Sequence, residues 1–308
     1  MARLSGPVMT LVQLRYFIAA ATKRSMTEAS IDLHVAQSAV STAIAQLERS
    51  LDVQLFVRQR SKGLVVTEAG EQLLRDARSL LAQVDEITDN VRGRHYDLRG
   101  TLRLACYAPL APFVLPKLIS SVQSHHPSLR VEVIEADVDR TVELLLDGSV
   151  EGAITYDFGA LHNISYEHLY TAPPHIVLPA TDDLARRKRL RLSQLADRDF
   201  VLLDTEHSRD YFLGILERAG ITPQIRFTSR SYETVRSLVA RGHGYSILNH
   251  IPATDRTYDG GQLAVVPIAD DADALNVCFA RVTDVRPTTR ARVIAELARE
   301  LFAGARTA

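Results

Sequence analysis

The chain has 308 residues, 46% of them hydrophobic and 24% charged, with a net charge of −1. That leaves room for two or three domains and a substantial core, and it excludes a chain that is basic along its whole length. Two cysteines, Cys106 and Cys278, argue against a disulfide framework, and no run approaches the roughly 18 apolar residues of a membrane span.

The start, MARLSGPVM, lacks the apolar stretch of a signal peptide, and Met9 is an alternative first residue. A cytoplasmic protein is expected. Charge is unevenly placed: residues 1–66 hold eight Lys or Arg against four acids, leaving the rest of the chain acidic. A basic head permits a phosphate-facing surface at one end.

In chain order, Leu11, Leu14, Phe17, Ile18 and Ala21 form the apolar stripe of a first helix. Ser25-Met26-Thr27-Glu28 has capping-box spacing and opens a second helix that buries Ala29 and Leu33. His34 and Val35 turn the chain into a third, whose buried stripe is Val40, Ile44, Leu47 and Leu51. Its other face carries Gln37, Ser38, Ser41, Thr42, Ala45 and Gln46, too polar for a core and too short for ion-pair networks. This is a helix-turn-helix pattern. Two β-type runs follow, 53–57 and 64–66, around a bend with Arg58, Arg60, Lys62 and Gly63, which suits a DNA-contacting wing.

A long helix is predicted over 67–94. Leu73, Ala77, Leu80, Val84, Ile87 and Val91 recur at heptad a and d spacing, so this stripe wants a second helix, from another copy of the chain or from its own domain. From residue 101 the texture becomes βαβαβ (LRLACY, a helix, LRVEVIEA, a helix, EGAITYD). A second α/β block then leads to a final helix over 288–302 that folds back on the first. The predicted architecture is α/β, with a winged helix-turn-helix over 1–66, a linking helix over 67–94 and a two-lobed domain over 95–308. Lobe I is expected to comprise about 101–163 and 284–308, and lobe II about 164–283.

The segment QLRYFIAAATKRSMTEASIDLHVAQSAVSTAIAQLERSLDVQLFVR, followed by VVTEAGEQLL, resembles the N-terminal region of LysR-type transcriptional regulators. Weaker matches continue through DGSVEGAITY, ILERAG and VARGHGYSILN. The resemblance implies a DNA-binding winged helix-turn-helix, a dimerisation helix and an effector domain of the periplasmic-binding-protein type. It also implies a homo-oligomer, usually a dimer of dimers, that binds promoter DNA and responds to a small molecule. Gln37, Ser38, Ser41 and Thr42 would then lie nearest the bases or phosphates, with Thr27 beside them and Arg58, Arg60 and Lys62 on the backbone. Three positions depart from the usual pattern: Ala36 stands where an N-capping Ser is common, Ser38 where Pro is common, and Thr42 where Arg is common. Arg paired to guanine is the commonest strong base contact, so its loss predicts a site chosen partly by DNA shape.

In a two-lobed α/β domain, ligands bind where strand ends and helix N-termini meet. The junctions here supply Tyr107, Ala108, Pro109, Asp204, His207, Ser229, Tyr232 and Asn249 as expected effector contacts. Helix N-termini favour a carboxylate, although Pro109 stands where members of the resembled family often place a hydroxyl. Asp204 with Glu206 either favour an amine on the same ligand or cap the following helix and face solvent. Other constellations read as structural. Cys106 and Cys278 lie in apolar strands and fit inert core thiols better than a redox switch. His125-His126 lacks further ligands, Gly242-His243-Gly244 fits a tight turn, and Ser208 beside His207 and Asp210 is adjacency rather than a triad. The basic run Arg186-Arg187-Lys188-Arg189 fits a solvated face. No metal or cofactor is expected. The rival class is a two-lobed enzyme or binding module whose N-terminal helices serve only oligomerisation.

Overall fold

A computed structural model describes residues 9–59, 63–92, 98–157, 159, 163–283 and 285–302. The chain opens with α1 (Leu11–Lys23), α2 (Met26–Asp32) and α3 (Gln37–Leu51). Thr10 and Gln13 cap the start of α1 reciprocally, and the Ser25 hydroxyl accepts the Glu28 N–H at 3.2 Å to start α2. The turn into α3 passes through His34 in the left-handed region, at φ 54. Its Nδ1 donates to the Ile31 carbonyl at 2.9 Å, a local bond that helps hold this strained residue. Leu14, Phe17, Ala29, Val40, Ile44 and Leu47 interlock as the core of the three helices.

Strands β1 (Phe56–Gln59) and β2 (Gly63–Val66) pair antiparallel, Gln59 opposite Gly63. This hairpin is tied to α3 by one side chain. Glu48 Oε1 accepts the N–H groups of Leu55 at 2.8 Å and Phe56 at 3.2 Å. Helix α4 (Glu68–Arg92) follows. At Gly70 it passes so close to the chain that an added Cβ would lie 2.4 Å from the Leu55 carbonyl oxygen, so no larger residue fits. Leu74 and Ala77 are buried in the N-terminal core, with Leu73 packed against it. Leu73 and Ala77, predicted for the heptad seam, therefore pack on their own chain, because the first turns of α4 lie against α1. Beyond them the stripe surfaces: Leu80 is 40% and Ile87 63% exposed. Val84 is half-buried, and the side chain of Val91 lies outside the described residues.

The remainder runs β3 (Gly100–Tyr107), α5 (Ala111–His125), β4 (Leu129–Ala136), α6 (Val138–Leu146), β5 (Gly152–Tyr156), β6 (Ile164–Ala172), β7 (His175–Pro179) and β8 (Asp199–Leu203). Then come α7 (Glu206–Arg218), β9 (Gln224–Ser229), α8 (Tyr232–Ala240), β10 (Ser246–Leu248), β11 (Leu263–Pro267), β12 (Leu275–Val282) and α9 (Thr289–Phe302). One sheet has the order β4-β3-β5-β12-β6, with β3 parallel to β4 and β5 and β12 antiparallel to β5 and β6. Helices α5 and α9 cover one face of it and α6 the other. In the second lobe, β10-β7-β11 form one ladder and β8-β9 another. A bridge between Phe200 and Tyr245 joins the two beneath α7 and α8.

The division between lobes differs from the expected one. Strands β6 and β12, expected in lobe II, pair with each other from Ile164 opposite Val282 to Ala172 opposite Leu275, and so complete the first sheet. Lobe I is therefore 98–172 with 275–302, and lobe II begins only at β7. Antiparallel pairing over so long a separation leaves no local mark in the chain, which is why the texture alone misplaced it. Helix α4 also touches lobe I: Arg78 pairs with Asp147 at 2.8 Å and donates to the Thr22 hydroxyl at 2.8 Å.

Candidate nucleic-acid interface and ligand cleft

Helix α3 turns Val40, Ile44 and Leu47 inward, which leaves Gln37, Ser38, Thr42, Ala45 and Gln46 exposed and Ser41 half-buried. Thr27 is exposed on the neighbouring helix. Ala36 is the N-cap and makes no side-chain bond, so the first N–H groups of α3 remain for another acceptor such as a phosphate oxygen. The hairpin β1–β2 stands beside this helix. Arg60, Lys62 and the side chain of Arg58 lie outside the described residues.

Between the lobes, the polar groups satisfy one another. Tyr107 ends β3 fully buried, and its hydroxyl bonds the Thr205 hydroxyl at 2.7 Å and that of Ser208 at 2.8 Å, across the gap at the start of α7. Thr205 is the N-cap of α7 but makes no side-chain capping bond. At the rim, His207 Nε2 meets Asp139 Oδ1 at 3.0 Å and Arg230 Nη2 donates to Asp137 Oδ2 at 3.3 Å. The bond from His207 draws the Asp139 carboxyl below its usual range, whereas a hydrogen bond shared with Asp139 raises Glu206.

The opposite side of the joint is aromatic. His250 lies between two hydroxyls, Tyr156 at 2.9 Å from Nδ1 and Tyr170 at 2.8 Å from Nε2. Phe113 of α5 packs against it at 4.7 Å and against Tyr232 at 5.3 Å. Burial pushes the His250 imidazole down to about 3. A neutral imidazole donates through one nitrogen and accepts through the other, so the two tyrosines satisfy both without a buried charge. Asn249 clamps the hinge, its Nδ2 donating to the Ala172 carbonyl at 2.9 Å and the Tyr211 hydroxyl at 2.8 Å.

Two family models match this chain. "Bacterial regulatory helix-turn-helix protein, lysR family" covers residues 11–71, and "LysR substrate binding domain" covers residues 95–303, well over half of the sequence. The chain belongs to the LysR family. Two structures from Pseudomonas aeruginosa are similar along nearly the whole chain. One is of a putative LysR family transcriptional regulator, 31% identical with a TM-score of 0.64, covering 95% of this chain and 99% of the other. The second is of HinK, a LysR family transcriptional regulator, 32% identical with a TM-score of 0.64, covering 95% and 98%. A Mycobacterium avium relative described as a probable hydrogen peroxide-inducible genes activator is 29% identical over 241 residues, 78% of this chain and 77% of its own. This LysR-family protein is thus an effector-controlled DNA-binding transcriptional regulator and not an enzyme. No helix among the described residues is long and apolar enough to cross a membrane.

The sequence-predicted effector residues fall into two groups. Tyr107, His207 and Tyr232 meet at the inter-lobe joint, with Ala108 and the half-buried Pro109 in the tight turn before α5. Three others are engaged elsewhere. Asp204 takes two bonds from Arg209, at 2.7 and 2.8 Å, which hold its carboxyl below the usual range. Ser229 accepts the Ser231 N–H at 3.1 Å, and Asn249 holds the hinge. The junctions read from the sequence also spanned Thr205, Ser208 and His250, whereas Phe113, Tyr156 and Tyr170 were missed as parts of the joint. Ser208 bonds Tyr107 and His207 bonds Asp139, so these residues form no triad in this LysR-family regulator.

Histidine protonation should loosen this joint in acid. In the unfolded chain His250 titrates near its ordinary 6.5, but in the folded regulator only near 3. The unfolded state therefore binds more protons between those values, and stability falls as pH drops below 6.5, by up to about 1.4 kcal/mol per pH unit. Calorimetric melting between pH 6.5 and 4.5 should be less pH-dependent in His250→Gln than in the wild type. Parallel curves would contradict a neutral buried His250.

Proposed function

We propose that this regulator reads promoter DNA with the exposed face of α3 and grips the backbone with its wing. On this reading it works in the cytoplasm as a homo-oligomer, a dimer of dimers, joined through the Leu80, Val84 and Ile87 face of α4. Its effector is a small carboxylate-containing metabolite, also bearing an amine, that enters between the lobes. The carrying observation is the self-satisfied cluster of Tyr107, Thr205 and Ser208 hydroxyls beside the α7 N-terminus, which lacks a side-chain cap. These hydroxyls and helix N–H groups are donors that a carboxylate would take over. The rim acids Asp137, Asp139 and Glu206 supply a complementary edge for an amine. Entry of the ligand separates Tyr107 from lobe II, and its differential affinity for the two lobe arrangements shifts their populations.

Peroxide sensing through a thiol, suggested by the name of the mycobacterial relative, is less well supported. A reactive sensor cysteine is exposed with a depressed pKa. Both Cys106 and Cys278 are buried, and burial pushes Cys106 up strongly and Cys278 up to about 12. They also sit on opposite faces of the lobe I sheet. Cys106 pairs across β5 toward Phe279, so Cys278, one residue away, points to the other side.

On DNA, Arg58→Ala with Arg60→Ala should weaken binding to every sequence and reduce the salt slope by about 2, because each phosphate contact releases counterions. Gln37→Ala or Ser41→Ala should instead relax preference at individual bases by about 1 kcal/mol. Gel shifts across a salt series test both, and full-strength binding by the double mutant would remove the wing from the interface.

For assembly, Leu80→Asp places a charge in the α4 face and should lower the mass seen by light scattering, with DNA affinity falling alongside. An unchanged oligomer would show that copies join elsewhere.

For the effector, a thermal-shift panel of amino acids and other carboxylates should yield a binder. Its affinity should fall about tenfold in Tyr107→Phe and in Ser208→Ala, with unliganded DNA binding intact. Wild-type responses in both variants would overturn the cleft assignment.

A further inference from the structure

A pocket of about 80 Å3 lies where α4 meets lobe I, far from the inter-lobe joint. Two contacts hold the helix there. Arg78 pairs with Asp147 at 2.8 Å, and further along α4 Glu86 Oε1 accepts the Thr289 N–H at 2.9 Å. The helix lines the pocket with Arg75, Arg78, Ser79 and Ala82, a single stripe at steps of three and four. At about 100° per residue this stripe stands nearly opposite Leu80, Val84 and Ile87. Copies joined through those three residues would therefore leave the pocket open. Lobe I supplies apolar walls from Leu145, Leu146, Val150, Val282, Val285 and Pro287.

The charge around these walls is one-sided. Arg281 at the end of β12 and Arg286 before α9 also line the pocket, the first half-buried and the second exposed. Among the described residues neither meets a carboxylate, and the half-buried Arg75 donates only to Gln72 of its own helix. Arginines nearby are paired, Arg103 with Glu132 and Arg299 with Glu167. The single acid of the lining, Glu151, is already engaged. It accepts the Thr288 hydroxyl at 2.5 Å, and its charge is met by Arg290 and Arg103. Arginines without counter-charges, set around an apolar hollow, repel one another until an anion arrives, and guanidinium groups bind carboxylates and phosphates through paired hydrogen bonds. The hollow is smaller than the roughly 150 Å3 cavity that takes a benzene ring, so it suits a slender chain.

We propose that this pocket is a second small-molecule site, distinct from the inter-lobe cleft, for an anion with a slender apolar tail. The anionic head is held by Arg281 and Arg286, with Arg75 beside them, and the tail covers Val150, Val282 and Val285. An amine finds no free acid in the lining. Bound there, the molecule ties α4 to lobe I on the helix that carries the reading head. It thereby biases the angle of the head by a route that does not pass through Tyr107.

The test is a titration of the full-length protein, 13C-labelled at its valine and leucine methyl groups, with pentanoate, its uncharged match 1-pentanol and the cation pentylammonium. Pentanoate should move the Val150 and Val285 methyl resonances and bind about tenfold more tightly than 1-pentanol, while pentylammonium leaves them in place. In the Arg281→Gln, Arg286→Gln double variant, pentanoate should bind no better than 1-pentanol. Unmoved Val150 and Val285 methyls, or equal affinity for pentanoate and 1-pentanol in the wild type, overturn the proposal without relying on any variant. Movement confined to Leu110 and Val138, beside the inter-lobe joint, would place the anion in the cleft instead and overturn it too. Undiminished pentanoate affinity in a folded double variant overturns it as well.

Discussion

Leu275 pairs with Ala172, and the geometry of the effector domain follows from that pairing. The two strands that leave lobe I do so side by side, so the chain crosses to lobe II twice within one narrow hinge. Two covalent crossings a strand-width apart, about 5 Å, permit the lobes to swing but resist twisting. The hinge is then latched from lobe II: Asn249 holds the Ala172 carbonyl, and the Tyr211 hydroxyl donates to the Asp273 carbonyl at 2.7 Å. Everything further from the hinge, including Tyr107 on Thr205 and His250 among its tyrosines, depends on the angle these crossings allow.

The chemistry of the joint is graded from centre to rim. Its middle consists of neutral donors and acceptors, hydroxyls with one imidazole, while charged pairs such as Arg230 with Asp137 stand at the half-exposed edge. A buried ion pair in the middle would carry a desolvation penalty that opening refunds, whereas hydroxyls exchange one partner for another with little net change. Such a joint opens at small cost. This suits a domain whose task is to be moved by a small ligand.

The parts of this molecule that were legible in its sequence are the local ones. The helix-turn-helix, the long α4 and the alternation of strands and helices are written in stripes, caps and turns, as with Val40, Ile44 and Leu47 or Ser25 capping Glu28. Long-range facts were not legible. That β12 lies between β5 and β6, that Leu73 and Ala77 face α1, and that His250 meets Tyr156 across 94 positions all depend on packing without local periodicity. For the site, the junctions named from the sequence include Tyr107, Tyr232 and His250, all of which the structure places at the joint. Asp204, in the loop before α7, is held by Arg209 of that helix, a partner that any reading of isolated junctions overlooks.

Glu48 accepts two backbone N–H groups of the segment entering the hairpin, so α3 and β1 are fastened at the root. Gly70 presses the base of α4 onto that same segment. The reading head is therefore a rigid key, and a signal coming along α4 has no means of recutting its teeth. What it can alter is where the key stands and at what angle it meets the duplex. On the proposed reading, control by such a molecule is a matter of spacing and pose rather than of new contacts.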